Sequence, residues 1–336
     1  MRIILKPEIF SYKTTNPLDL YALFRLGLSL DDSLHLIQTD PLEAEEIDNW
    51  LNQQDDKTRK LCQQILDSGS RREIDINPDF PLATVYVSDI KTPQWNVKKN
   101  RMLHKLPLEK AVNFLYQPFT IFVENRRNDR AFLEAVATGK RKEKLKKFLQ
   151  NNAIEFNGGG GIGEVLEWVK EIADIPEKCH RSFALFDSDA LKPNEPSKQS
   201  EDVVRACHQK IPYHQLKRRA IENYLPYEIL AAWMGMGVHK KVHGVKKKNI
   251  VNAFKQMNSE QRHHFDMKAG FKKDESKNLD HDDIADEIKE TLKQGFGDNI
   301  AELFKEKQFK IQEHWLRKDS LTEEIDPMLE RLLSLV

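Results

Sequence analysis

An α/β fold built around a parallel sheet is the architecture this chain predicts, and three observations carry it. Apolar runs of strand length alternate with segments of helical periodicity between residues 117 and 230. That is the pattern of a parallel sheet covered by helices. Two of those runs, Phe119-Thr-Ile-Phe-Val-Glu124 and Phe183-Ala-Leu-Phe-Asp187-Ser-Asp189, end in carboxylates. A third, Ile154-Glu-Phe-Asn157, passes through Gly158-Gly-Gly-Gly161 into a helical pattern. Ligands of open α/β sheets bind beyond the carboxyl ends of the strands. Glu124 and the Asp187/Asp189 pair are therefore expected to meet in one crevice.

Length and periodicity set the remaining elements. A chain of 336 residues suits two domains, or one with a large extension. Residues 1–116 are expected as an α-rich N-terminal region with no recognisable motif. Pro17-Leu-Asp-Leu-Tyr-Ala-Leu-Phe-Arg25 opens like a capped helix, and Ala83-Thr-Val-Tyr-Val87 reads as a strand. Ile47, Trp50, Leu51, Leu61 and Ile65 form an apolar stripe over residues 41–66. In residues 117–230, strands are expected at 120–124, 153–156, 182–187 and 213–216. Helices are expected at 129–137, 162–173 and 201–209, with an exposed, proline-containing loop over 191–200. Residues 231–336 read as a helical C-terminal region with helices over 282–294 and 299–305. The final segment, 321–336, ends in Leu329, Leu332, Leu333, Leu335 and Val336, which need a packing partner.

Composition narrows the function classes. Fifty-three basic and 53 acidic residues cancel, which argues against a protein coated on all sides by nucleic acid. No apolar run approaches the length of a membrane span, and the apolar stretch in Met1-Arg-Ile-Ile-Leu-Lys6 is too short for a signal peptide. Cys62, Cys179 and Cys207 form no disulfide framework and fit a reducing cytoplasm. Cys179-His180 and Cys207-His208 lack the tight ligand spacing of structural zinc sites, so buried thiols are the simpler reading.

The strand-end carboxylates, with Glu222 in Ala220-Ile-Glu222-Asn-Tyr-Leu-Pro226, make an oxygen-only donor set. Such a set suits Mg²⁺ or Mn²⁺ rather than a thiolate metal. Glu124, Asp187, Asp189 and Glu222 are enough carboxylates to hold one ion, or two in a phosphodiester-cleaving pair. Charge is unevenly spread nearby. Residues 204–250 carry ten Lys and Arg against Glu222 and Glu228. Arg218, Arg219, Lys246, Lys247 and Lys248 are the candidate contacts to a nucleic-acid backbone. A second run, Lys140-Arg-Lys-Glu-Lys-Leu-Lys-Lys147, reads as a solvated helix face. The glycine run lacks the G-x-x-x-x-G-K-[ST] lysine and reads as a tight strand-to-helix turn. His263-His264 reads as an exposed helix end, and Asp280-His-Asp-Asp283 as an N-cap cluster.

The order glutamate, glycine-rich turn, Asp187-x-Asp189, then Ile221-Glu222-Asn223-Tyr224-Leu225 resembles the Toprim domain. It is most similar to the branch of the overcoming-lysogenisation-defect (OLD) nucleases and the small stand-alone Toprim proteins of bacterial anti-phage operons. The resemblance covers roughly residues 118–230, about a third of the chain. It implies a Toprim-like sheet and a metal-dependent nuclease. A basic residue downstream is implied to assist the transition state, for which Lys268, in Met267-Lys-Ala-Gly270, is the choice ahead of Arg218 and Arg219. It also implies the toxic effector of a defence system, acting on nucleic acid, DNA ahead of RNA. No ATPase signature is present, so the implied controller is a separate ATPase sensor from the same operon; a homo-oligomer is also compatible. One departure stands out: the family's Glu-Gly-x-x-Asp is here Glu124-Asn-Arg-Arg-Asn-Asp129, with Asn125 in place of glycine and Asp129 one residue late. A Toprim module that binds nucleic acid without cutting it is the alternative, followed by a phosphotransferase or phosphatase using Asp187-x-Asp189.

Overall fold

The computed structural model describes residues 1–11, 16–28, 35–39, 44–72, 79, 81–98, 101–208, 210–235, 241–275, 283–306, 310–318 and 320–336. It is an α/β structure with two main sheets. The first contains β1 (Arg2–Leu5), β2 (Leu36–Thr39), β3 (Thr84–Val87), β4 (Val97–Lys98) and β5 (Arg101–Leu106), in the order β2-β1-β3-β5-β4. All neighbours run parallel except the β4–β5 pair. The α-rich expectation for residues 1–116 is thus corrected: helices are present, but they cover a sheet. Its strands are short, and β1 pairs with segments more than thirty residues away. Local periodicity has little to register there. The helix Pro17–Arg25 does form, capped by the Asn16 side chain, which accepts from Leu18 N, and opened by Pro17.

The second sheet contains β6 (Phe119–Phe122), β7 (Ile154–Asn157), β8 (Ser182–Phe186) and β9 (Tyr213–Gln215). The order is β7-β6-β8-β9, and every neighbour is parallel. Strand β8 is buried along its whole length, as a central parallel strand is. Its side chains alternate between two cores. Phe183 and Leu185 join the large core that runs through the first sheet and the C-terminal region. Ala184 and Phe186 face the helices Ile162–Ile172 and Lys198–Cys207. Cys179 and Cys207 lie in that smaller core, and all three cysteines are buried thiols. The connections from β6 place β7 on one side of it and β8 on the other, so the strand order reverses there. The crevice of the sheet therefore opens at the carboxyl ends of β6 and β8.

The C-terminal region is mostly helical, with one hairpin, β10 (Lys241–Val242) and β11 (Val245–Lys246). The expected helices over 282–294 and 299–305 are shorter: an α-helix at Asp286–Thr291 and a 3₁₀ helix at Ile300–Phe304. Residues 280–282, including His281, lie outside the described residues. The last helix, Leu321–Leu335, buries Leu329, Leu332, Leu333 and Leu335 as expected. It docks on the helix Gly139–Gln150 through Arg141, which pairs with Asp326 and Glu330, and through Lys144, which donates to Leu333 O. The run 140–147 is therefore only partly the solvated face expected of it: Lys140, Lys142 and Lys146 are exposed, while Arg141 and Lys144 hold the last helix. No described helix is long and apolar enough to cross a membrane.

Candidate metal centre

Glu124 leaves β6 at the crevice, and its neighbours fix where it stands. Asn125 caps the helix Arg126–Val136, its side chain accepting from Arg127 N and Asn128 N. Asp129 returns the contact: its Oδ2 accepts from Asn125 N at 2.8 Å. The cap explains how Asn is accommodated where the resembled family has glycine, and it carries Asp129 into the interior, 6% exposed. The glycine turn seats the neighbouring strand. A Cβ on Gly158 (φ +148°) would lie 1.8 Å from Val123 O, so only glycine lets β7 leave so close to the end of β6. Gly161 N then donates to Glu124 O at 3.2 Å.

Asp187 meets Glu124 directly. Its backbone N–H donates to Glu124 Oε1 at 2.8 Å. Its own Oδ1 accepts from Ile221 N at 3.1 Å, which turns the carboxylate toward the 3₁₀ helix Ile221–Tyr224. Asp189 follows with φ +50°, its N–H bound to Arg219 O at 2.9 Å, and stands close enough to Glu124 to act on its charge. The expected convergence of the two strand ends is present.

The Ile221–Tyr224 segment supplies the next carboxylate, and each residue has a task. Asn223 clamps the C-terminal region, donating to Arg262 O and Phe265 O. Tyr224 anchors below by donating to Glu324 at 2.7 Å. Between them Glu222 is 1% exposed. Lys268 Nζ stands 2.8 Å from Glu222 Oε1, yet that oxygen has no aligned hydrogen bond. At that separation the two charges form an ion pair. Lys268 is itself held stiffly. Asp266 Oδ1 accepts from Lys268 N and Ala269 N, and Lys268 O accepts from Gly297 N. Gly270 (φ +65°) lies against Gly295, where a Cβ would come within 2.3 Å of backbone nitrogen.

The electrostatics follow from burying several acids around one ammonium. Burial, opposed by the Asp187 N–H and reinforced by Asp189 and Asp129, pushes the Glu124 carboxyl up to about 8. Burial, then Glu222, pushes Asp129 to about 7 against its bond from Asn125. Burial, Glu124, Glu222 and Asp129 push Asp187 well above the usual carboxylate range. Burial disfavours the Lys268 charge, but Glu222, Asp187 and Glu124 outweigh it and raise its pKa. The pocket holds more potential negative charge than Lys268 neutralises. Asp129 belongs to it and had no assigned role in the sequence; the Asn125 cap is what brings it in.

Two of the expected backbone contacts are corrected. Arg219 is buried and bidentate to Asp274 at 2.8 Å, with Asp266 at 3.2 Å. Arg218 is buried too, donating to Asn223 O and covering the Tyr224 ring at 4.9 Å. Both guanidiniums brace the site from within, because acids and an aromatic ring surround them. Lys246 and Lys248 are exposed as expected, and Lys247 is half-buried against Trp233. His264, expected at an exposed helix end, is buried and hydrogen-bonded to Ala190 O at 3.0 Å.

The residues present fit a hard divalent cation by chemistry. All donors are carboxylate oxygens, and among the described residues the buried Glu222 Oε1 faces only the Lys268 ammonium. Among the described residues, no three acidic, histidine or cysteine groups already converge as a ready metal cage. Comparison with known proteins finds no matching family model, no matching curated protein and no matching solved structure.

Proposed function

We propose that this chain is a Mg²⁺- or Mn²⁺-dependent nuclease of the Toprim type, similar to the OLD branch. The observation that supports it most is the cluster at the carboxyl ends of β6 and β8, where the Asp187 N–H meets Glu124, Glu222 acts on the Asp187 charge and Lys268 stands beside Glu222. Glu124, Asp187 and Glu222, with Asp189 at the rim, would hold the ion. When bound, the ion supplies charge neutralisation at a phosphate oxygen and lowers the pKa of an attacking water. Lys268 contributes a fixed positive charge where negative charge develops on the phosphate. Its side chain is 42% exposed, so it can touch a phosphodiester while still facing Glu222. The Asp266 turn and the Gly270–Gly295 contact hold the backbone that carries that ammonium.

The resemblance extends the proposal to a toxic effector of anti-phage defence, restrained by a separate ATPase. A second reading, a Toprim module that binds nucleic acid without cutting, is favoured by one observation: Lys268 already pairs with Glu222 inside the pocket. Incubation with supercoiled plasmid DNA and with single-stranded RNA separates the two. Cleavage in Mg²⁺ or Mn²⁺ that stops in EDTA and in Asp187→Asn supports the nuclease. Binding without cleavage of either substrate under all these conditions supports the second reading.

A further inference from the structure

From Tyr227 to Ser259 the chain has six lysines and a single acid, Glu228, which pairs with Lys318 at 3.2 Å. Much of this segment forms one face, made by the helices Tyr227–Gly235 and Lys247–Gln256 and the hairpin β10–β11. We propose that this face is a stacking platform for single-stranded nucleic acid that leads a strand to the carboxylate pocket. The inference rests on the nuclease reading and names its substrate as unpaired.

Three features of the face carry it. Aromatic rings and lysines are paired along the seam between the two helices. Lys247 Nζ stands 3.9 Å from the centre of Trp233, and Lys255 Nζ 5.1 Å from that of Tyr227. Tyr227 is 37% exposed, and it is the one large hydrophobic side chain on this face that is so exposed among the described residues. Rings for bases beside cations for phosphates are what sequence-tolerant single-strand binding requires.

The hairpin adds the second feature. His243 (φ +48°) and Gly244 (φ +84°) form a two-residue turn with both central residues left-handed. That turn places Lys241 directly opposite Lys246. Like charges in that position destabilise a hairpin. A polyanion laid across them removes the repulsion. Among the described residues, Lys241, Lys246, Lys248 and Lys255 have no carboxylate at ion-pair distance.

Position is the third. Tyr227 follows Glu222 by five residues, so their backbones are no more than about 18 Å apart. About five stacked nucleotides cover that span. A duplex can use the lysines but keeps its base faces hidden. A membrane surface needs protruding apolar side chains, and among the described residues this face offers Tyr227 alone.

Binding is read in EDTA, where cleavage does not interfere, by fluorescence anisotropy of a fluorescein-labelled oligonucleotide. The single strand, its duplex and phosphatidylserine vesicles are compared. The expected result is single-strand binding about ten-fold tighter than duplex, with Tyr227→Ala losing about ten-fold, as the loss of one stacked base does. Tyr227→Phe keeps the ring and should restore wild-type affinity. Lys246→Ala with Lys248→Ala should flatten the salt dependence by about 0.7 of a unit for each lost single-strand contact. Unchanged affinity in Tyr227→Ala, tighter duplex binding, or preference for vesicles would each overturn the platform. Cleavage by wild type with Tyr227→Ala binding normally would sink the platform and leave the nuclease standing. Tyr227-dependent binding with no cleavage in Mg²⁺ or Mn²⁺ would do the reverse.

Discussion

The two main sheets bury polar groups of opposite kind. At the seam beside the first sheet, His104 of β5 lies 4.4 Å from His180, ring centre to ring centre, with Trp95 stacked on His180. Neither nitrogen of His104 has a hydrogen-bond partner in the protein. Burial, and for His104 its neighbour His180, depress these imidazoles to about 3 and about 4. They stay neutral at ordinary pH, so they ask for no counter-ion. The second sheet buries acids instead, and one lysine is too little to balance them all once ionised. Both sheets are mainly parallel with helical cover. What makes the second a candidate centre is the set of carboxylates at its reversal point, not its architecture.

If that contrast is right, the largest effect should come from Asp187. Asp187→Asn keeps the size of the side chain and removes a charge. Metal-dependent cleavage should fall by more than about a hundred-fold, the upper range for losing even an outer partner of a metal site. His104→Leu should leave cleavage within about two-fold, since it adds no charge and leaves no polar partner unpaired. Equal losses in the two variants, measured by gel assay on folded protein, would erase the distinction between the sheets.

Arg219→Ala should act on stability. It removes the bidentate partner of buried Asp274 and one partner of Asp266, and breaking a buried ion pair typically costs about 3–5 kcal/mol. Urea unfolding would read this, while Lys248→Ala should leave the midpoint unchanged. A fully stable Arg219→Ala with weakened oligonucleotide binding would return Arg219 to the surface role. Gly158→Ala should cost about 1–3 kcal/mol, because its Cβ meets Val123 O. It should also weaken metal binding, since that backbone adjoins Glu124.

The smallest and most discriminating effect is on pH dependence without metal. Glu124 holds its proton to about 8 when folded but only to its ordinary 4.5 when unfolded. The folded chain then binds more protons across that window, so stability present below pH 4.5 is lost as pH rises toward 8. His104 works the other way. Its folded value of about 3 lies below the ordinary 6.5, so stability present above pH 6.5 is lost as pH falls toward 3. Melting curves of metal-free protein should show both limbs. Glu124→Gln should flatten the alkaline limb alone, and His104→Leu the acid limb alone. Swapped assignments would show that the two clusters are differently protonated.

Much of the second sheet was legible because its signals are local. Strands β6, β7, β8 and β9 stand within two residues of the apolar runs that announce them. Glu124 meets Asp187 and Lys268 meets Glu222, since strand ends and a short anchored turn position them. The first sheet was not legible, because four-residue strands pairing across long separations leave no periodic trace. Arg218 and Arg219 looked like surface cations for a similar reason. The acids that bury Arg219, Asp266 and Asp274, come 47 and 55 residues later. Asp129 was hidden by its shifted spacing, which only the Asn125 cap makes intelligible.

Binding of Mn²⁺ followed by electron paramagnetic resonance at pH 8 tests the pocket most directly, because it needs neither substrate nor partner. Wild-type protein should take up one or two Mn²⁺ ions per chain, and added Mg²⁺ should displace them. Asp187→Asn and Glu124→Gln should lose that binding while keeping their circular dichroism spectra, and His104→Leu should bind as wild type does. Mn²⁺ binding that is absent in wild type, or that survives unchanged in both acid variants, would contradict a metal centre at the ends of β6 and β8.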